Sequence, residues 1–295
     1  MKVDQVQQTI NYTSFFNTSL TLEELHFWLI SPKLHSFKVI SSFVSKHPKL
    51  KKQLIIDKHP NRLKKTLLTN QKVDSLQNLI SILKLLPTIK LIALTGSLSV
   101  NNSKKNDDID LMIITSPNTL WITRPVALFI ISLVATRRKP KDSNLRNKVC
   151  SNLWLDQTSL TVPKSKQNLY TAHEVLQAKP LLDKDFAYNQ FISKNSWVKK
   201  HLANAYKTKY QQAGRGPTLA GALDHRVGAG PLAIRPKEGL SPKHLFLGGV
   251  RSLNLLAFKL QYFYMKSKIT QEYITPNSAY FHIRDLYPKI KQHLS

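Results

Sequence analysis

Asp108, Ile109 and Asp110 put two carboxylates at alternate positions just ahead of the apolar run Leu111-Met112-Ile113-Ile114. A β-strand points residues i and i+2 to the same face, so both carboxylates face one way, roughly 6.5–7 Å apart at their Cα atoms. Ile109, between them, points into the core. No basic residue of that strand neutralises the pair, and a divalent cation removes the repulsion. Mg²⁺ is typically held by one or two carboxylates together with substrate phosphates. Twelve residues before Asp108, Gly96-Ser97 follows the apolar run Ile89–Thr95. Glycine at a strand end lets phosphates approach the backbone, and a helix starting at Ser97 offers free N–H groups to an anion. The chemistry these residue types suggest is a metal on the aspartates and a triphosphate on the Gly-Ser turn. Asp107 is expected to face away from the pair.

Positioning them requires a sheet. Val73, Leu76, Ile80, Leu83 and Leu86 form a helical stripe that stops at Pro87. IKLIALT (Ile89–Thr95) reads as a buried strand, LMIIT (Leu111–Thr115) as a second and SNLWLD (Ser151–Asp156) as a third. Between the last two, VALFIISLVA (Val126–Ala135) reads as a buried helix. At ten residues it is too short to cross a bilayer, which takes about 20. Strand, short helix, strand, long helix, strand is the order of an α+β unit with a small mixed sheet. We assign it to residues 71–200. Residues 1–70 form an N-terminal helical unit, marked by the capping box Thr21-Leu22-Glu23-Glu24 and winged-helix-like in outline. Eight of the nine glycines fall between Gly214 and Gly249. Residues 201–249 therefore read as a linker or insertion, with neither GxGxxG nor GxxxxGK[ST] in it. Residues 250–295 read as helical, with Leu253, Leu256, Phe258, Leu260 and Phe263 as packing positions.

The spacing of LTGS (Leu94–Ser97), ten residues, then DIDLMII (Asp108–Ile114) resembles the nucleotidyltransferase superfamily of DNA polymerase β. Longer stretches resemble uncharacterised bacterial proteins with a nucleotidyltransferase domain: LTLEELHFWLI, TGSLSVNN, LWITRP, NKVCSNLWLD, LYTAHEVLQAKPL and the closing FHIRD. The resemblance implies the nucleotidyltransferase fold, with Mg²⁺ or Mn²⁺ on Asp108 and Asp110 and NTP phosphates on Gly96 and Ser97. It implies transfer of a nucleoside monophosphate to an acceptor hydroxyl with release of pyrophosphate, the acceptor being RNA, a protein or a small molecule. A third carboxylate on a later adjacent strand completes the superfamily's site. Asp156 is the candidate and Asn152 the alternative; an uncharged residue there weakens the second metal site. The resemblance also leaves a different class open, an inactive transferase fold that binds nucleic acid.

Lys and Arg number 44 against 17 Asp and Glu, a formal net charge of +27. Such a charge favours polyanions, RNA or DNA among them. The abundance of Lys over Arg also fits a nucleotide bias in the coding DNA, which does not explain why acids are so few. One cysteine, Cys150, excludes an internal disulfide and a site built on several cysteines. The N-terminus lacks the apolar core of a signal peptide, so a cytoplasmic protein without membrane insertion is expected. Arg124 reads as a solvated charge near a helix start, or as a group reaching the triphosphate. Lys104 and Lys105 read as a surface loop. His173-Glu174 lacks the second histidine of a zinc protease and reads as a helix with one packed and one exposed face. Ser97 has no GxSxG elbow around it. His282 and Asp285 read as a packed pair.

Overall fold

The computed structural model describes residues 2–55, 59–139, 142–214, 244–281 and 286–294. His282, Asp285 and most of the glycine-rich stretch lie outside them. The N-terminal helices are α1 (Val3–Phe15), α2 (Leu22–Trp28), α3 (Phe37–Ser45), α4 (Pro48–Lys51), α5 (Pro60–Asp74) and α6 (Gln77–Leu83). There follow β1 (Ile89–Leu94), α7 (Gly96–Ser99), β2 (Ile109–Thr115), α8 (Leu120–Val134) and β3 (Val149–Asp156). The chain continues with α9 (Leu169–Gln177), β4 (Lys179–Asp183), α10 (Ala187–Lys194) and α11 (Ala203–Ala213). It closes with α12 (His244–Lys266), β5 (Tyr273–Thr275), β6 (Ser278–Tyr280) and α13 (Tyr287–Leu294).

The architecture is α+β, an open mixed sheet in the order β4-β1-β2-β3-β6-β5. β1 runs antiparallel to β2 and β4, whereas β2 and β3 are parallel. A parallel neighbour needs a crossover, and α8 supplies it. Leu91, Ala93, Met112, Ile114 and Leu155 pack on one side with α9, α10 and α11. Leu94, Leu111, Ile113 and Trp154 pack on the other side with α6 and α8. The central strands are buried on both faces, which is why they read as continuous apolar runs.

Several expectations change. β4 and the β5–β6 hairpin went unread; the hairpin extends the β3 edge, so residues 250–295 are not wholly helical. Among the described residues up to 70 there is no strand hairpin, so the winged-helix outline lacks its wing. Tyr12 of α1 belongs to the main core, and α5 runs through the expected boundary at 70. The capping box at Thr21 is present, with Glu24 N donating to Thr21 Oγ1 at 3.2 Å and Thr21 N to Glu24 Oε2 at 3.0 Å. α8 buries Trp121, Ala127 and Ile131 but exposes Phe129 and Leu133. On α12, Phe258 packs as expected, whereas Leu253, Leu256, Leu260 and Phe263 are exposed. Among the described residues no helix is long and apolar enough to cross a membrane.

His173 of α9 lies in the main core, sandwiched between Tyr12 (ring centroids 3.9 Å apart) and Trp28 (5.2 Å). Neither ring nitrogen has a hydrogen-bond partner among the described residues. Burial pushes its pKa down from 6.5 to about 3. The unfolded chain therefore binds more protons below pH 6.5. His173 leaves stability intact above that pH and subtracts from it as pH falls from 6.5 towards 3, by about 1.4 kcal/mol per pH unit. Thermal unfolding of His173→Leu should show a smaller drop in Tm between pH 7.5 and 5 than the native protein shows. Equal drops in both would remove His173 as the source.

Candidate functional site

The strand pattern places the carboxylates as expected. Ile109 is buried in the core while Asp108 and Asp110 share the opposite face. Gly96 adopts φ +62°, and a Cβ added there would stand 2.8 Å from Asp110 Oδ2. The turn after β1 therefore lies against the carboxylate at the start of β2, and only a residue without a side chain allows that approach. Thr95 N donates to Asp110 O at 3.0 Å, holding the two strand ends in register.

Asp110 is half-buried, and burial together with the charge of Asp108 raises its pKa to about 7. Its Oδ1 accepts from Asn152 Nδ2 at 2.8 Å. Asp108 pairs with Arg138 at 2.6 Å. Cys150 completes a cluster in which one atom each of Asp108, Asp110 and Cys150 lie within 4.8 Å of one another. Burial pushes the Cys150 thiol up to about 12, so it stays protonated. A protonated soft donor does not suit Mg²⁺, whereas two carboxylates do. The donor set fits a hard divalent cation held by Asp108 and Asp110. Arg138 meanwhile carries part of the compensating charge.

Asp156 is not part of this cluster. β2 and β3 pair with Asp110 opposite Cys150 and Thr115 opposite Asp156. Five residues of β2 separate Asp110 from Thr115, which at about 3.3 Å each puts Asp156 some 16 Å along the strand from Asp110. It is fully buried and accepts from Asn118 N at 2.7 Å, Thr158 N at 2.6 Å, Asn277 Nδ2 at 2.8 Å and the Thr158 hydroxyl. Its role is to tie β3 to two loops. The strand residue beside the aspartates is Asn152. The register shifts there, with Leu111 opposite Ser151 and Met112 opposite Leu153, so Asn152 is an extra residue in β3. Such a bulge re-aims a side chain.

Asp107 stands outside the carboxylate pair, as expected, and meets Ser97. Ser97 Oγ donates to Asp107 Oδ2 at 2.8 Å, and Lys104 N donates to the same oxygen at 2.9 Å. Asp107 thus braces the loop that follows the Gly-Ser turn. Lys72, 3 % exposed, inserts beneath this loop and donates to Lys104 O at 2.9 Å and Asp107 O at 2.6 Å. Burial lowers its pKa. The side chains of Lys104 and Lys105 remain exposed. Arg124 is neither solvated nor at the site: it donates to Gln261 Oε1 at 3.0 Å and stacks 4.5 Å from the Phe281 ring. Burial lowers its pKa to about 10.

Sequence reasoning missed a cavity of about 330 Å³ beside Asp110. Thr95 and Asn152 form part of its wall, and α9 turns Glu174 into it. Burial raises the Glu174 carboxyl to about 7, opposed by a hydrogen bond from Tyr170. Glu174 belongs to a helix expected to have one packed and one exposed face. The burial of Ala172, His173, Val175 and Leu176 around it leaves no exposed face there. No family model, curated protein or solved structure matches the chain.

Proposed function

We propose that this protein is a Mg²⁺-dependent nucleotidyltransferase, moving a nucleoside monophosphate from an NTP to an acceptor hydroxyl and releasing pyrophosphate. The observation that carries the reading is the approach of Gly96 to Asp110: the two halves of the motif form one site, with a side chain at position 96 excluded by the carboxylate itself. Asp108 and Asp110 hold the cation. Bound there with the triphosphate, Mg²⁺ supplies charge neutralisation at the reacting phosphate and the leaving pyrophosphate. Asn152 fixes the orientation of Asp110 through its amide. Arg138, already on Asp108, keeps a cation beside the phosphate-binding region. Lys72 and Asp107 hold the loop after Ser97 in place. In the free protein the Ser97 hydroxyl is committed to Asp107, which leaves phosphate contact at this turn to the backbone.

Asn152 in place of a third carboxylate favours a second reading, an inactive transferase fold that binds nucleic acid through its +27 charge. One experiment separates the two. Thermal unfolding is followed with each of the four NTPs and Mg²⁺, for the native protein and Asp108→Asn. The first reading expects a Mg²⁺-dependent rise in Tm that the variant lacks, because a ligand that binds only the native state stabilises it. No rise with any NTP at millimolar concentration, with salt-sensitive RNA binding equal in both proteins, would establish the second.

A further inference from the structure

The cavity beside Asp110 is a chamber with a directed polar group. Met112, Leu155 and Phe191 give it an apolar floor, and Tyr170 and Tyr280 add aromatic walls. Small-molecule pockets have this make-up: mostly apolar lining with a few converging polar groups, in volumes from about 300 Å³ upward. At about 330 Å³ it takes a nucleoside-sized group and no folded polymer. Three of its polar groups stand out. The Tyr280 hydroxyl and Thr95 Oγ1 are buried with no hydrogen-bond partner among the described residues. Glu174 receives a hydrogen bond from Tyr170, and among the described residues it forms no ion pair. Glu174 is half-buried and shares the lining with Lys166, and a carboxylate drawn out of water is costly unless donors or a cation reach it.

The chamber also shares its wall with the candidate metal site. Asn152 lines the cavity and donates to Asp110 at 2.8 Å; Thr95 lines it and donates through its backbone to the Asp110 carbonyl. A nucleotide whose phosphates lie at Gly96 and Asp110 has its base within reach of this chamber.

We propose that the cavity receives the base of the nucleotide and that Glu174 selects guanine. This rests on the nucleotide reading of the aspartate site. A carboxylate is acceptor-only and presents two oxygens side by side. Guanine offers two adjacent donors, N1–H and the exocyclic N2–H, which match them. Adenine and cytosine set a ring-nitrogen lone pair against one oxygen, and uracil sets a carbonyl on each side of its single donor. A site built to satisfy such donors rejects a ligand that lacks them far more strongly than an apolar pocket rejects a change of size.

Binding of the four nucleosides, without phosphate or metal, tests the chamber apart from the aspartates. At pH 8, guanosine at millimolar concentration should raise Tm, with at least about tenfold tighter binding than adenosine, cytidine or uridine. Glu174→Gln, which keeps the volume but replaces one acceptor oxygen with a donor, should erase that preference. Asp108→Asn should bind guanosine as the native protein does. Inosine, lacking the N2 amine, and 1-methylguanosine, lacking N1–H, should each bind the native protein more weakly than guanosine. They keep the test decisive if the Gln variant fails to fold. Equal binding of all four nucleosides, tighter binding of another one, or a guanosine preference untouched by Glu174→Gln would overturn the assignment. If guanosine gives no shift while Mg²⁺–NTP still does, the guanine pocket falls and the transferase reading stands. If neither gives a shift, both fall.

Discussion

Replacing Asp156 with alanine should lower Tm by roughly 10 °C and leave Mg²⁺–NTP binding unchanged at temperatures where the variant is folded. Asp156 is fully buried and collects four donors: two backbone N–H groups, the Thr158 hydroxyl and the Asn277 amide. Alanine removes this acceptor from all of them, although the Asn277 amide keeps the Thr158 hydroxyl at 3.0 Å and Thr158 itself is exposed to water. Each unsatisfied buried donor costs about 1–3 kcal/mol, although the loops carrying Asn118 and Asn277 can relax and let water in. A net loss of about 2–4 kcal/mol follows, the sum over neutral donors that water replaces only in part. A catalytic third carboxylate would behave the other way, with activity lost and stability kept or raised. Chemical denaturation together with NTP-dependent stabilisation of the same sample distinguishes the two. A stable Asp156→Ala protein that no longer responds to NTP would return Asp156 to the active site.

Gly96→Ala should remove the Mg²⁺–NTP stabilisation while leaving both aspartates in the sequence. Two effects combine. The φ of +62° costs an alanine about 1–2 kcal/mol, and its Cβ would meet Asp110 Oδ2 at 2.8 Å. The carboxylate cannot stay where it is, and turning it away breaks its bond to Asn152 and its pairing with Asp108 as a cation site. Loss of a metal ligand's position should weaken cation binding by more than about 100-fold, since disturbing only the groups that support a ligand costs 10–100-fold. A double-mutant cycle isolates the contact. In an Asp110→Ala background the carboxylate is gone, so Gly96→Ala should then cost only the backbone strain. Non-additive stability losses of about 1 kcal/mol or more would demonstrate the close approach. Additive losses would show that Gly96 serves the turn alone.

Together the two substitutions separate carboxylates by role. Asp156 is a hydrogen-bond hub of the sheet, and its loss is read in unfolding. Asp108 and Asp110 are held close together, and burial first, with the charge of Asp108 second, raises the pKa of Asp110. A fold does not need such a pair for stability; pairs of this kind cluster at functional sites.

The sequence by itself determined what is local. The apolar runs at Ile89–Leu94 and Ile109–Thr115, the glycine that breaks the first and the capping box at Thr21 each appear where their residue types dictate. The shared face of Asp108 and Asp110 follows from the same strand alternation. The tertiary structure decided which distant residues meet them. Regular alternation through Leu153 and Leu155 made Asp156 a plausible third acid. That alternation is regular from Leu153 to Asp156, but the extra residue lies just before it, and strand pairing sets Cys150, not Asp156, opposite Asp110. A bulge and an inter-strand register are properties of two strands together, so neither is written in one strand's pattern. The same holds for Glu174. Its helix reads as amphipathic, but the chamber it faces exists only once β2, β3, β6, α9 and α10 have closed around it.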